Sequence, residues 1–243
     1  MMPRTVLITG AAGGIGAAAA RRVAAEGGRV LLADLRAPDS ETILGADASR
    51  GESFALDVTD AEAVDSLIRE CDERHGGLDG VVLSHGVGGR IAPLTEWEDA
   101  EIASVLSVNL LGCVNVMRSA LRTMLTRGDP GRIVAVASAA AKEGNPGSAI
   151  YSASKAGLVG LVKSVAREVA ERGILVNAVT PGSTDTPMLK QGPGIIDYVV
   201  SRTPMQRLAR ADEVAAAIAW LLSSECSFTT GSCLDVSGGR SAY

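Results

Sequence analysis

Tyr151-Ser-Ala-Ser-Lys155 sets a phenol and an ammonium four residues apart. On a helix, positions i and i+4 share a face, so the two groups point the same way. A free phenol titrates near ~10, too high for a base at neutral pH. An ammonium about 4 Å away, at an effective dielectric of ~20, favours the phenolate by roughly 4 kcal/mol, or about three pKa units. Such a pair works as a general acid/base near neutrality. Taken alone the spacing is a weak signal, because most Tyr-x-x-x-Lys pairs are surface decoration. Ser138 strengthens it. It ends an apolar run, at the place where open α/β sheets bind ligands, and its hydroxyl can bond a reacting oxygen. Asn109, in Ser-Val-Asn-Leu-Leu-Gly, is polar within an apolar face and needs a partner. A water relay to Lys155 would supply one; a satisfied core asparagine is the plainer alternative.

A second constellation surrounds Thr9-Gly10-Ala11-Ala12-Gly13-Gly14-Ile15-Gly16, between a short β-branched run and an Ala-rich one. Glycines let the backbone turn sharply and approach a pyrophosphate closely. The following helix N-terminus offers N–H donors and partial positive charge. The spacing is Gly-x-x-x-Gly-x-Gly rather than the usual Gly-x-Gly-x-x-Gly. Asp34 ends the next apolar run, where an acidic residue accepts from ribose hydroxyls and repels a 2′-phosphate. Leu35 is not basic and the loop holds no Lys or Arg, so NAD is expected over NADP, although Arg36 is close by.

The elements that must position these groups alternate. Strands are predicted at 5–9, 29–34, 53–56, 80–83, 132–137, 175–179 and 233–236. Helices are predicted at 15–26, from an Asp60 N-cap to about 74, from a Thr95/Glu98 capping box to about 127 with room for a break, at 149–172 and at 211–222. Strands apolar throughout and alternating with helices imply an α/β fold. It is a single-domain, Rossmann-like, doubly wound parallel sheet of about seven strands, with helices on both faces. One domain over 1–243 accounts for the chain. Only 188–205 has no place in the sheet, and it is expected to be a substrate flap.

Composition narrows the partners. The 243 residues carry a net charge of −5, which argues against nucleic acid. The N-terminal apolar run is too short for a signal peptide core, and no apolar run approaches the ~20 residues of a membrane span. A cytoplasmic protein with no membrane partner is expected. The four cysteines (Cys71, Cys113, Cys226 and Cys233) form no Cys-x-x-Cys pair, and with two histidines a metal site is not expected. They read as reduced structural thiols.

With these residues together, the chain resembles the short-chain dehydrogenase/reductase family over essentially its full length. The resemblance rests on Thr-Gly-x-x-x-Gly-x-Gly at 9–16, Asp57 after the third strand, Asn109, Ser138, Tyr151-x-x-x-Lys155 and Pro181-Gly182, in this order. It implies an NAD(P)-dependent oxidoreductase acting on CH–OH groups, interconverting a secondary alcohol and a ketone. Tyr151 would move the proton and Ser138 would hold the reacting oxygen. Lys155 would assist the tyrosine and bind the nicotinamide ribose, and Asn109 would anchor a relay water. Gly10, Gly13, Gly14, Ile15, Gly16, Asp34, Leu35, Asp57, Val58, Gly86, Pro181, Gly182, Thr184 and Thr186 would meet the cofactor. A homotetramer is implied, with helices 97–127 and 149–172 pairing across one interface. One departure stands out. Where the family shows Asn-Asn-Ala-Gly, this chain has Leu83-Ser84-His85-Gly86, so the two asparagines that tie down this loop are gone. His85 would face the cofactor ribose or an adjacent loop, and a lone histidine is more often structural than catalytic.

The substrate is expected to be a moderately apolar small-molecule alcohol or ketone, from the Met, Leu, Ile and Val content of 188–205. Gly192, Pro193 and Gly194 suggest a hinge, and NAD preference favours oxidation. The stretch 181–186 is similar to that of dihydrodihydroxybenzoate dehydrogenases, and 205–213 to that of 3-oxoacyl-carrier-protein reductases; either activity is an alternative. Arg90 and Lys142 could attract a carboxylate, or be solvated surface charges. A silent dinucleotide sensor and an S-adenosylmethionine methyltransferase are the readings from other classes. Neither explains Asn109, Ser138, Tyr151 and Lys155 together.

Overall fold

The structure is a computed structural model that describes residues 5–189 and 194–241. Apolar β-branched runs form strands β1 (Thr5–Thr9), β2 (Arg29–Asp34), β3 (Gly51–Ala55), β4 (Gly80–Leu83), β5 (Arg132–Val136), β6 (Leu175–Pro181) and β7 (Cys233–Val236). They make one parallel sheet in the order β3-β2-β1-β4-β5-β6-β7. The order reverses between β1 and β4, and in such sheets the crevice at the carboxyl ends of the strands at that point is where ligands bind.

Among the described residues the helices are α1 (Gly14–Ala25), α2 (Ser40–Leu44), α3 (Ala61–His75), α4 (Asp99–Leu106), α5 (Gly112–Arg127), α6 (Ala140–Glu143), α7 (Ala149–Val169), α8 (Ile195–Ser201) and α9 (Ala211–Leu222). Strand alternation sends successive side chains to opposite faces. Val6 and Ile8 of β1 join α1 and α9 through Val23, Val214, Ile218 and Leu222. Leu7 joins α3, α5 and α7 through Ile68, Met117, Met124, Leu158 and Val162. The expected two-sided layering is present, and each fully buried aliphatic side chain contributes roughly 1.5–3 kcal/mol.

Several boundaries differ from expectation. The capping box is not Thr95/Glu98. Glu98 is the N-cap of α4, and the Glu101 carboxylate accepts from its backbone N–H at 3.2 Å, while Thr95 lies in a separate 3-10 turn. Either glutamate spacing satisfies orphan N–H groups, and helix geometry selects the later one. β3 starts two residues early, at Gly51, because it pairs with β2 from Val30 onward. The helical stretch to about 127 has the break the sequence allowed for, one π turn, Ser107–Leu111, between α4 and α5. Short helices α2, α6 and α8 were not foreseen; at four to seven residues, no hydrophobic period is long enough to read. The stretch 99–127 is, by length and composition, apolar enough to cross a membrane, contrary to the expectation of no such run.

Candidate active site

Tyr151 and Lys155 project from one face of α7. Lys155 Nζ lies 6.0 Å from the centroid of the Tyr151 ring. Lys155 is only 4% exposed and donates to the Val136 carbonyl at 2.8 Å. An ammonium carries three donors, so this anchor at the end of β5 leaves further donor capacity for a ligand. Ser138 lies two residues beyond the end of β5. Its Oγ accepts from the Ala140 N–H at 3.1 Å, which leaves the hydroxyl proton for an acceptor elsewhere. Tyr151, Lys155 and Ser138 line one cavity of about 250 Å³, together with Ile15, Gly86, Pro181, Gly182, Thr184 and Thr186.

Asn109 sits in the π turn, with no side-chain surface exposed. Its Oδ1 accepts from the Val87 N–H at 2.8 Å, and its Nδ2 donates to the Val87 carbonyl at 2.9 Å and to Ser154 Oγ at 3.1 Å. It therefore clamps the loop after β4 to α7, one residue from Lys155. Gly86 fits between them: a β-carbon there would lie 3.2 Å from Asn109 Oδ1 and 3.4 Å from Lys155 Nζ. π turns occur frequently at functional sites.

The altered loop after β4 has its own ties. Ser84 Oγ donates to the Thr9 carbonyl at 2.6 Å. His85 is buried, with Nδ1 2.6 Å from Thr9 Oγ1 and Nε2 3.3 Å from Cys113 Sγ. Burial and the nearby Lys155 charge push its pKa down to about 3, so the ring is neutral. Burial likewise pushes the Cys113 thiol up to about 11. Ser84 and His85 thus replace the missing asparagines, linking the loop to β1 and α5. His85 also borders the cavity, and its polar atoms are occupied by structural partners.

The glycine turn is built to receive an anion. Gly10 has φ +68°, and a β-carbon there would fall 2.6 Å from the His85 backbone. Gly13 caps α1 with no side-chain hydrogen bond, and no acidic residue occupies the first turn. The first N–H groups of α1 therefore lack a side-chain partner, the condition under which a helix end binds phosphate. Thr186, from the segment after β6, reaches across to Gly14. Thr184 Oγ1 donates to the Gly182 carbonyl at 3.2 Å.

Asp34 is half-buried at the end of β2. Its Oδ2 accepts from the Ala12 N–H at 3.0 Å, and its Oδ1 from the Leu35 N–H at 2.8 Å. Each oxygen keeps a lone pair for a hydroxyl donor. Asp57 is exposed after β3, and its Oδ1 accepts from the Thr59 N–H and hydroxyl, which holds its carboxyl below the usual range. Val58 is buried, and its carbonyl accepts from Asn115 at 3.0 Å. Gly10, Gly13, Gly14, Gly16, Asp34, Leu35, Asp57, Val58 and Asn109 do not line the cavity itself. The first eight lie around the carboxyl ends of β1, β2 and β3, beside it. The open helix N-terminus, the acceptors on Asp34 and the cavity beside them fit an extended dinucleotide.

Residues 10–241 match the family described as enoyl-(acyl carrier protein) reductase. A 2-dehydro-3-deoxy-L-rhamnonate dehydrogenase (NAD(+)) of Sphingomonas sp. (strain SKA58) is 40% identical, over 99% of this chain and 96% of its own. The chain belongs to the short-chain dehydrogenase/reductase family. A cis-4-hydroxycyclohexanecarboxylate dehydrogenase of Sinomonas cyclohexanicum is 39% identical, over 98% and 97% of the two chains. Among solved structures, the 3-ketoacyl-(acyl-carrier-protein) reductase of Brucella melitensis complexed with NADH superposes with a TM-score of 0.91 at 30% identity, over 99% of both chains. ElxO with NADP bound gives 0.93 at 30% identity over 100% of both. The protein is an NAD(P)-dependent oxidoreductase acting on CH–OH groups, as the family resemblance implied.

Sequence reasoning missed polar residues in the cavity wall, Asn145, Ser148, Ser183 and Arg240 among them. It pointed instead to Arg90 and Lys142, which do not line it. Arg90 pairs with Glu96 and Glu101, and Lys142 with Asp235.

Proposed function

We propose that this chain oxidises a small secondary alcohol to a ketone with NAD, and that Tyr151 takes the hydroxyl proton. The observation that supports this is that Tyr151, Lys155 and Ser138 line one cavity, with Lys155 Nζ 6.0 Å from the centroid of the tyrosine ring. The buried ammonium stands beside the tyrosine that takes the proton, and the Ser138 O–H donates to the substrate oxygen as it becomes a carbonyl. NAD, when bound, supplies the hydride acceptor for the carbinol C–H electron pair while the O–H proton passes to Tyr151. The reverse sequence reduces a ketone. Asn109 holds the loop after β4 against α7 and so fixes Lys155 beside the cofactor ribose.

NAD is favoured over NADP by Asp34. A 2′-phosphate there would meet a carboxylate fixed by two backbone N–H groups. Met188 and Leu189 border the cavity, while Ile196, Tyr198 and Met205 leave large apolar surfaces exposed. That supports a flap over 188–205 closing on a moderately apolar carbon skeleton; the proposed hinge residues Gly192 and Pro193 lie outside the described residues. The whole chain then acts as one domain. Only 33% of the most apolar window within 99–127 is buried in the protomer, which supports burial against a second copy and a homotetramer. Free, mostly buried cysteines suit the cytoplasm.

The test is NADH formation with a panel of secondary alcohols and the reverse reaction with their ketones. NADH binding without turnover on any member would instead support a silent sensor.

A further inference from the structure

Two charged side chains line the cavity among the described residues, Lys155 and Arg240, and both are cations. No Asp or Glu lines it, in a chain whose net charge is −5. Lys155 belongs to the chemistry. Arg240, four residues beyond β7, does not. Its side chain is only 8% exposed, and the residue lines the cavity. Its Nε donates to Glu143 Oε2 at 3.0 Å, and an Nη donates to Asn145 Oδ1. The other Glu143 oxygen accepts from Ser241 Oγ at 2.8 Å. The guanidinium is therefore held in place from one side, as a fixed group rather than a mobile surface charge.

We propose that Arg240 is a specificity-determining residue that binds a carboxylate on the substrate, so that the natural substrate is a hydroxy acid. This rests on the dehydrogenase reading above and adds the class of alcohol. A guanidinium has five N–H donors in a planar fork, and Nε and one Nη bond account for only part of them. The remaining donors match a carboxylate, for which guanidinium is the preferred planar partner. Glu143 offsets the Arg240 charge in the empty site, so the pocket does not carry an uncompensated buried cation. Lys155 leaves the wall net positive, which favours an anion over a neutral alcohol. Asn145, which accepts from Arg240, and Ser148 also line the cavity and add polar capacity, while Ile91, Met188 and Leu189 supply apolar wall for a carbon skeleton.

The test compares secondary-alcohol acids with their methyl esters under saturating NAD. The series begins at 3-hydroxybutyrate and moves the carbinol stepwise away from the carboxylate. For at least one spacing the unchanged protein should prefer the acid by kcat/KM on the order of 10- to 100-fold. Arg240→Met should remove that preference, mainly by raising KM for the acid, with the ester and the KM for NAD unchanged. Arg240→Met/Glu143→Gln removes the stranded carboxylate if the single variant folds poorly. Equal use of acid and ester by the unchanged protein overturns the assignment. So does an equal loss on both substrates in a folded variant, and a raised KM for NAD would place Arg240 on a cofactor phosphate instead. Turnover of esters alone sinks only the Arg240 assignment, whereas no turnover in either series sinks the dehydrogenase reading with it.

Discussion

Gly14 and Thr186 meet across the mouth of the site. A β-carbon on Gly14 would lie 2.5 Å from Thr186 Cγ2 and 3.0 Å from its Cβ. The segment after β6 therefore rests on the first turn of α1, beside the place proposed for the cofactor diphosphate. Gly14→Ala is expected to push Thr186 outward and raise KM for NAD about tenfold, with kcat changed less. Thr186→Ser, which removes the crowding methyl, should recover part of the loss in the double variant. A Gly14→Ala protein with unaltered cofactor KM would show that this turn does not hold the cofactor.

In the proposed reading, Asp34 sets the choice of NAD over NADP. Asp34→Ala with Leu35→Arg removes two carboxylate oxygens and adds a cation beside the 2′ position. The ratio of kcat/KM for NAD to that for NADP should fall at least about 100-fold. Asp34→Ala alone also frees the Ala12 N–H, so it should weaken NAD without improving NADP to the same degree. Higher efficiency with NADP in the unchanged protein would reverse the assignment.

His85 makes stability depend on pH. Its pKa falls from 6.5 to about 3 on folding, so the unfolded chain binds the proton more readily. Its contribution is complete above pH 6.5 and is lost as pH falls toward 3, at about 1.4 kcal/mol per pH unit. Between about pH 7.5 and about pH 5, unfolding free energy should drop about 2 kcal/mol more for the natural protein than for His85→Gln. Urea unfolding at the two pH values measures this, and parallel losses would place the His85 proton elsewhere.

Much of this architecture is legible in the residues themselves. β1, β2, β4, β7 and α9 begin and end where their apolar patterns do. Buried parallel strands have no solvent face to blur the signal. The Tyr151/Lys155 face follows from helix geometry alone, and Ser138 from its place at a strand end. What was hidden depends on contacts distant in sequence. The π turn at Asn109 is fixed by Val87 and Ser154, which lie 22 and 45 residues away. His85 finds its partners in Thr9 and Cys113, 76 and 28 residues away. Arg240 reaches the cavity only because β7 returns beside β6, and its partner Glu143 is 97 residues earlier. No local pattern separates it from Arg90 or Lys142, whose positions looked better and whose charges are matched by carboxylates away from the cavity.

In the proposed mechanism Tyr151 carries the proton beside Lys155. The direct measurement is NADH formation by Tyr151→Phe with a substrate the natural protein oxidises, alongside NADH binding by fluorescence. Turnover should fall by roughly 10²–10⁴, with NADH affinity within a few-fold of the natural protein. A variant that keeps near-natural turnover, having lost only the phenolic oxygen, would contradict the account.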